Sequence, residues 1–260
     1  MAIRTKREKK LKRTDGKYGR TYTLPDGSVV PSVTSILSAL SKPYLIPWAA
    51  KQERELVMQS AATLWQTEAV LPDRDAYLTT LAQTVGEVKA HARELTAACD
   101  IGSQIHARIE QDLLRELGQN PPLSDPLSYG AAFGYNAFRR FRGEHELRPI
   151  YAERQVWSVQ HQYAGTMDWY GVLDGVLTVG DWKSSKQISS EAHLQVAAYT
   201  MALIELGLAV SPVQAAIIRL PKTADEDKVE IQILSWPQLV ELFRIFLLVQ
   251  QVYVWQRKKV

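Results

Sequence analysis

Cysteine is almost missing from this chain of 260 residues, since Cys99 is its only representative. One cysteine cannot form an intramolecular disulfide, and it excludes a cysteine-based zinc site and a four-cysteine iron–sulfur cluster. Long apolar runs are missing too, because no stretch approaches the roughly 20 residues that span a bilayer. The first residues are charged with no apolar segment after them, which is not the pattern of a secretory signal. We therefore expect a cytoplasmic protein with no membrane partner.

Positive charge is concentrated at the start of the chain. Residues 1–20 hold nine Lys or Arg and two acidic residues, a net charge of +7, whereas the other 240 residues carry −4. Each Lys or Arg that neutralises a phosphate releases counterions, so this segment suits a polyanion, with a merely solvated tail as the alternative. We predict that residues 1–20 form a flexible basic arm. Its candidate phosphate contacts are Lys9, Lys10, Lys12 and Arg13.

The hydrophobic period changes after Pro149. Before it, residues 21–30 predict a hairpin, and residues from about 32 to 143 carry a helical pattern. After it, three strand candidates follow in close succession, with Asp174-Gly175 as a turn between two of them. A helix, two strands and a last helix complete the chain. Helices followed by the order β-β-β-α-β-β-α predict an α/β (α+β) protein, in which helices flank a mixed sheet.

The same change of period suggests the domain organisation. We assign residues 21–145 to a hairpin and helical region that carries the first core helix. Residues 146–260 form the sheet-containing core, and we expect the two regions to pack as one compact unit.

Two carboxylates and a lysine lie on neighbouring strand candidates. Asp181 and Lys183 are two residues apart and point to one face of their strand, and the hairpin brings Asp168 near Asp181. Carboxylates are ligands of Mg²⁺, which lowers the pKa of a bound water, and a lysine offsets charge that builds on phosphorus. The set fits metal-dependent phosphodiester hydrolysis. A hairpin with ordinary surface charges is the alternative.

Further polar residues surround this group in the sequence. Gln195 and Tyr199 are four residues apart, hence on one face of the next helix. Glu153 lies on the first of the three strands. His106 lies on an apolar stripe of the long helix, where a core histidine is the alternative to a metal ligand.

The ordered set resembles the RecB-type branch of the PD-(D/E)XK nuclease superfamily, and it is especially similar to small stand-alone phage exonucleases and the mitochondrial genome maintenance exonuclease. The matching motifs are Gly102-x-x-x-His106, Glu153, Gly165-x-x-Asp168, Asp181-x-Lys183 and Gln195-x-x-x-Tyr199. The resemblance covers roughly residues 22–220 and includes the stretch PSVTSILSALSKPYLIPWAAKQ. It implies a restriction-endonuclease-like fold with an N-terminal helical region that clamps DNA.

The resemblance also implies a metal centre. Asp168 and Asp181 would be ligands of Mg²⁺ or Mn²⁺, together with the backbone carbonyl of Trp182. His106 would supplement these ligands, and Glu153 would be the upstream acidic residue that supports the site.

The remaining roles concern catalysis and substrate. Lys183 would be the catalytic lysine, whereas Gln195 and Tyr199 would brace the active site and contact substrate phosphate. Further candidate DNA contacts outside the arm are Ser184, Lys186, Arg219, Trp48 and Lys51. For these the alternatives are a turn cap, a solvated charge or core packing.

Taken with the resemblance, these features predict a metal-dependent DNA exonuclease without an iron–sulfur cluster. Its expected partners are single-stranded DNA or duplex ends and a recombination or replication protein, in phage or bacterial DNA recombination, repair or replication. The alternatives are a structure-selective endonuclease, for Holliday junctions or flaps, and a non-catalytic DNA-binding accessory protein. The carboxylates argue against the last, because binding alone needs no acid beside a phosphate.

Overall fold

A computed structural model describes residues 10–16, 19–40, 42, 45–66, 73–86, 89–223 and 228–258. Its elements are, in chain order, β1 (Lys12–Gly16), β2 (Gly19–Thr23), β3 (Val29–Pro31), α1 (Val33–Leu37), α2 (Leu45–Gln66), α3 (Arg74–Val85), α4 (Ala90–Glu116), α5 (Tyr129–Glu144), β4 (Leu147–Ser158), β5 (Tyr163–Leu173), β6 (Val176–Lys183), α6 (Ser190–Glu205), β7 (Gln214–Arg219), β8 (Glu230–Leu234) and α7 (Trp236–Arg257). The predicted α+β class, with helices before the main sheet, is confirmed.

The main sheet has five strands in the order β4-β5-β6-β7-β8. Only β6 and β7 run parallel, because α6 carries the chain across between them, and the other neighbours are antiparallel. The turn between β5 and β6 is the predicted Asp174-Gly175, with φ of +48° and +85°. Positive φ at both positions is typical of the turns that close tight hairpins, and glycine adopts it at little cost.

Aromatic side chains fill one side of the sheet beneath the ends of β5 and β6. The rings of Trp169 and Trp182 lie 5.7 Å apart, and Phe138 and Phe141 of α5 pack edge-on against Trp182. Gly180 makes this possible, since a Cβ there would lie 1.7 Å from Trp169 Cε2. A second cluster, which includes α6 and α7 residues, buries Tyr163, Leu203 and Phe246 among others. The chain segment that carries Asp181 is thereby fixed by packing.

The start of the described chain is folded, and the prediction of a flexible arm is wrong from Leu11 onward. Leu11 is only 8% exposed and packs with the apolar residues of the small sheet, and β1 pairs with β2. Because every residue of β1 is exposed and none has an apolar side chain, its sequence has no apolar period to reveal a strand. Residues 1–9, and with them Lys9, lie outside the described residues. The predicted hairpin of residues 21–30 is present as β2 and β3.

The chain divides into two compact units with boundaries that differ from the predicted ones. One unit comprises residues 1–40 and 102–260, and the other comprises residues 41–101. Helix α5 and the second part of α4 belong to the unit with the sheet, because side chains such as Ile105 and Phe138 are buried there. A helical period does not reveal which sheet a helix packs on. Within the described residues, the model contains no helix of the length and apolar character needed to cross a membrane.

Candidate active site

Three acidic residues occupy adjacent positions on β4, β5 and β6. The pairs Ala152↔Trp169 and Arg154↔Met167 place Glu153 opposite Asp168, and the pair Trp169↔Gly180 places Asp168 next to Asp181 when the register is continued. Neighbouring strands lie about 4.8 Å apart, so the three residues form a short row across the sheet. We call Glu153, Asp168 and Asp181 the acid row. These three residues themselves are not among the paired positions of β4–β5 and β5–β6.

Asp168 is the centre of the row. Its Oδ2 atom accepts a 2.7 Å hydrogen bond from the Trp182 backbone N–H and lies 3.5 Å from His106 Nδ1. Burial favours the neutral carboxyl, but the adjacent His106 charge holds the pKa of Asp168 below its usual value. Burial likewise disfavours the imidazolium, yet the charge of Asp168 dominates and raises the pKa of His106 to about 9. His106 and Asp168 therefore form an ion pair, and His106 must release a proton to ligate a metal.

Glu153 is held in an unusual backbone conformation. Its φ of +46° lies in the left-handed region that non-glycine residues rarely adopt. Burial raises the pKa of its carboxyl to about 8, and the charges of Asp168 and Glu110 add to the effect, while His106 and Lys10 oppose it. An acid that is costly to ionise on a strained backbone is a feature of functional sites.

One ligand atom from each of His106, Glu153 and Asp168 lies within 4.8 Å of the other two. Two carboxylates and an imidazole suit Mn²⁺, and the carboxylates suit Mg²⁺. A cation there would favour the ionised form of Glu153, against both its burial and the repulsion by Asp168 and Glu110. The residues therefore fit a divalent metal, with Glu153 among the potential ligands rather than only supporting them.

Asp181 is 1% exposed and belongs to a network that reaches α6. Its Oδ2 atom lies 2.6 Å from Lys183 Nζ, an ion pair without the geometry of a directed hydrogen bond. Gln195 donates to Asp181 Oδ1 at 3.1 Å and to the Tyr199 hydroxyl at 3.3 Å, and accepts from Lys183 Nζ at 3.1 Å. Burial raises the pKa of Asp181 to about 6, although the Lys183 charge opposes it. The carboxyl is thus ionised at neutral pH and oriented from two sides.

At two positions of the predicted motifs, glycine is required because a side chain would collide with a neighbouring residue. A Cβ on Gly165 would lie 2.4 Å from Tyr199 Cε1, and one on Gly102 would lie 2.8 Å from Ser184 Oγ. Gly165 lets the Tyr199 ring approach β5, and Gly102 lets α4 approach the segment after Lys183. These close approaches bring the helices that carry His106 and Gln195 to the sheet.

Several residues predicted to contact DNA have other partners in the structure. Arg219 donates to Glu230 at 3.1 Å and to the Lys228 carbonyl at 3.3 Å, so its charge is neutralised by its neighbour on β8. A lone basic residue in the sequence does not reveal such a partner. Arg13 is likewise paired with Asp15 at 2.9 Å.

The remaining candidates lie outside the acid row. In the unit of residues 41–101, Trp48 packs edge-on against His91 at 6.3 Å, and Lys51 lies 3.6 Å from Glu55. Lys12 and Lys186 are exposed in the other unit. The indole of Trp182 is buried, so this residue reaches the site through its peptide group, and the role of its carbonyl stays a prediction.

One acidic residue at the site was not predicted. Glu110 acts electrostatically on Glu153 and has a raised pKa itself, chiefly because it is partly buried. It follows His106 by four residues and therefore shares its face of α4. The spacing of four residues from His106 is the sequence feature from which Glu110 could have been predicted as a site residue.

Comparisons of this chain with protein-family models and with curated protein sequences found no match. The function is therefore inferred from the geometry of the site and from the order of the motifs.

Proposed function

We propose that this protein is a metal-dependent phosphodiesterase that degrades DNA as an exonuclease. The observation that carries the proposal is the acid row with Lys183 directly beside it. A lysine ion-paired to a buried carboxylate, next to a His/Glu/Asp group with the donors for a divalent ion, is suited to phosphoryl transfer.

Each residue has a task in this proposal. His106, Glu153 and Asp168 would hold the metal, with Asp181 completing the negative charge on the other side of the row. A bound Mg²⁺ or Mn²⁺ would polarise a phosphoryl oxygen and lower the pKa of a coordinated water. Lys183 is 24% exposed at its side chain, so its ammonium can meet a substrate phosphate while Asp181 and Gln195 orient it.

Tyr199 acts one step further from the substrate. Burial keeps the pKa of its hydroxyl well above the ordinary value, so the group remains protonated and keeps its contact with Gln195. We infer that it positions Gln195 and, through it, Lys183.

DNA as substrate and an end-directed mode of action are supported by the resemblance of the ordered motifs to stand-alone exonucleases. An endonuclease for junctions or flaps would use the same residues and is the second candidate. A non-catalytic accessory protein is disfavoured, because four acidic side chains around one point repel the phosphates that such a protein would bind.

The test compares end-labelled linear DNA with covalently closed circles in Mg²⁺, Mn²⁺ and EDTA. We expect linear DNA to be degraded in either metal, circles to survive, and EDTA to stop the reaction. Asp181→Asn is the matched inactive control for contaminating nucleases. Cleavage of the circles would favour the endonuclease, and no cleavage of any substrate in either metal would contradict the proposal.

A further inference from the structure

The first described residues lead directly to the acid row. The Leu11 backbone N–H donates to the Gln155 side chain at 2.6 Å, and the Leu11 carbonyl accepts from the same carboxamide at 3.4 Å. Gln155 follows Glu153 by two residues on β4. Because the Leu11 side chain is also buried, the backbone of Lys10 has a defined position beside this strand, with its side chain exposed.

The Lys10 charge acts on the acids at this end of the row. Burial raises the pKa of Glu110, and the Lys10 ammonium is the strongest influence against that rise. Lys10 also opposes the raised pKa of Glu153. Lys183 lies at the other end, against Asp181. The acid row is therefore flanked by one lysine on the β4 side and one on the β6 side.

The width of the acid row is comparable to the spacing of phosphates along a nucleic-acid strand. Three adjacent strand positions span about 10 Å. Successive phosphates of one strand are separated by about 3.4 Å along a duplex axis, and by more when a single strand is extended. Two phosphates of one strand therefore match the width of the row, one beside Lys183 and a different one toward Lys10.

We propose that Lys10 is a substrate-binding residue that takes a second phosphate of the strand, so that the site prefers substrates with two or more successive phosphodiesters. The inference rests on the proposed function and specifies its substrate class. Lys10 and Lys12 are both exposed, and Lys10 differs in being next to Leu11, whose backbone contacts Gln155 on β4.

The test uses Lys10→Met, with Lys258→Met, at an exposed lysine directly after α7, as the matched control and Lys10→Arg as the conservative variant. Each full-length protein is assayed in Mn²⁺ on a single-stranded oligonucleotide and on bis(p-nitrophenyl) phosphate, which has one phosphodiester. We expect Lys10→Met to lower kcat/KM on the oligonucleotide about tenfold, the size of one charge-assisted contact, and to change it less than about twofold on the small ester. Lys258→Met should leave both rates within about twofold, and Lys10→Arg should restore most of the activity.

An equal loss on both substrates, or no loss on the oligonucleotide, would overturn the inference while leaving the proposed function intact. If the wild type cleaves neither substrate, the proposed function fails instead. In that case the role of Lys10 is tested by binding alone. The affinity for a dye-labelled single-stranded oligonucleotide is measured by fluorescence anisotropy in Ca²⁺. A Kd about tenfold weaker for Lys10→Met than for Lys258→Met supports it, and equal values refute it.

Discussion

Replacing Glu153 with glutamine should stabilise the metal-free protein at neutral pH. Burial and neighbouring acids raise the pKa of Glu153 to about 8, against an ordinary value of 4.5. At pH 7 this carboxyl is ionised in the unfolded chain but protonated in the folded protein, so folding must take up a proton. At about 1.4 kcal/mol per pKa unit, the interval between the unfolded pKa and pH 7 corresponds to a cost on the order of 3 kcal/mol. Glutamine has the same shape and avoids the charge. Allowing for relaxation of neighbouring groups, we expect a gain of about 1 to 3 kcal/mol in the free energy of unfolding.

The sign of the pH dependence is fixed by linkage. A carboxyl whose pKa is raised on folding contributes stability below its unfolded pKa, and this contribution is lost as the pH rises through the folded pKa. For Glu153 the loss extends from about pH 4.5 to about pH 8. The advantage of Glu153→Gln should therefore be small at pH 4.5, grow between these values and level off above pH 8.

Urea unfolding of chelator-treated proteins at pH 5, 6.5 and 8.5 measures this difference. Glu241→Gln, an exposed position on α7, is the control and should have no such pH dependence. Addition of Mn²⁺ should favour the wild type, because a ligand stabilises the protein that binds it more tightly. A destabilised Glu153→Gln protein, or a gain that does not change with pH, would refute the reasoning.

Three further predictions concern the metal, the catalytic pair and the first strand. Mg²⁺ or Mn²⁺, but not Ca²⁺, should restore DNA cleavage after EDTA treatment, and full activity in the chelator would contradict the role of the metal. Lys183→Met and Asp181→Asn should each lower turnover on the order of a thousandfold with DNA binding retained in anisotropy, and near-normal turnover would remove them from the chemistry. Deletion of residues 1–9 should leave the urea midpoint unchanged, whereas deletion of residues 1–16 should cost at least about 2 kcal/mol because Leu11 loses its burial. Equal midpoints for the two deletions would show that β1 contributes nothing.

Local patterns in the sequence were sufficient for the central part of the site. Alternation along a strand and an Asp-Gly turn fix which residues of a hairpin lie opposite each other. For this reason the position of Asp168 beside Asp181, with Lys183 on the same strand, could be predicted without a structure. Spacing by four residues similarly placed Gln195 and Tyr199 together.

Contacts between distant segments could not be predicted in this way. Strand β1 has no apolar side chain and pairs with β2 through backbone groups, so no hydrophobic period marks it. The partner of Arg219 is Glu230 on another strand, and nothing near Arg219 in the sequence indicates it. The position of Lys10 depends on Leu11 and Gln155, which are 144 residues apart. All three features result from contacts between segments that are far apart in the sequence and meet only in the folded protein.

The aromatic packing beneath the acid row gives the site an optical signal. Two of the seven tryptophans, Trp169 and Trp182, are buried there, and the peptide N–H of Trp182 donates to Asp168. A change of charge at this carboxylate therefore acts on an indole only a few bonds away. Trp65 and Trp255 are 85% and 57% exposed, and they contribute emission from a solvent environment. The blue part of the intrinsic fluorescence can thus follow the occupancy of the site in a stopped-flow experiment without any added dye.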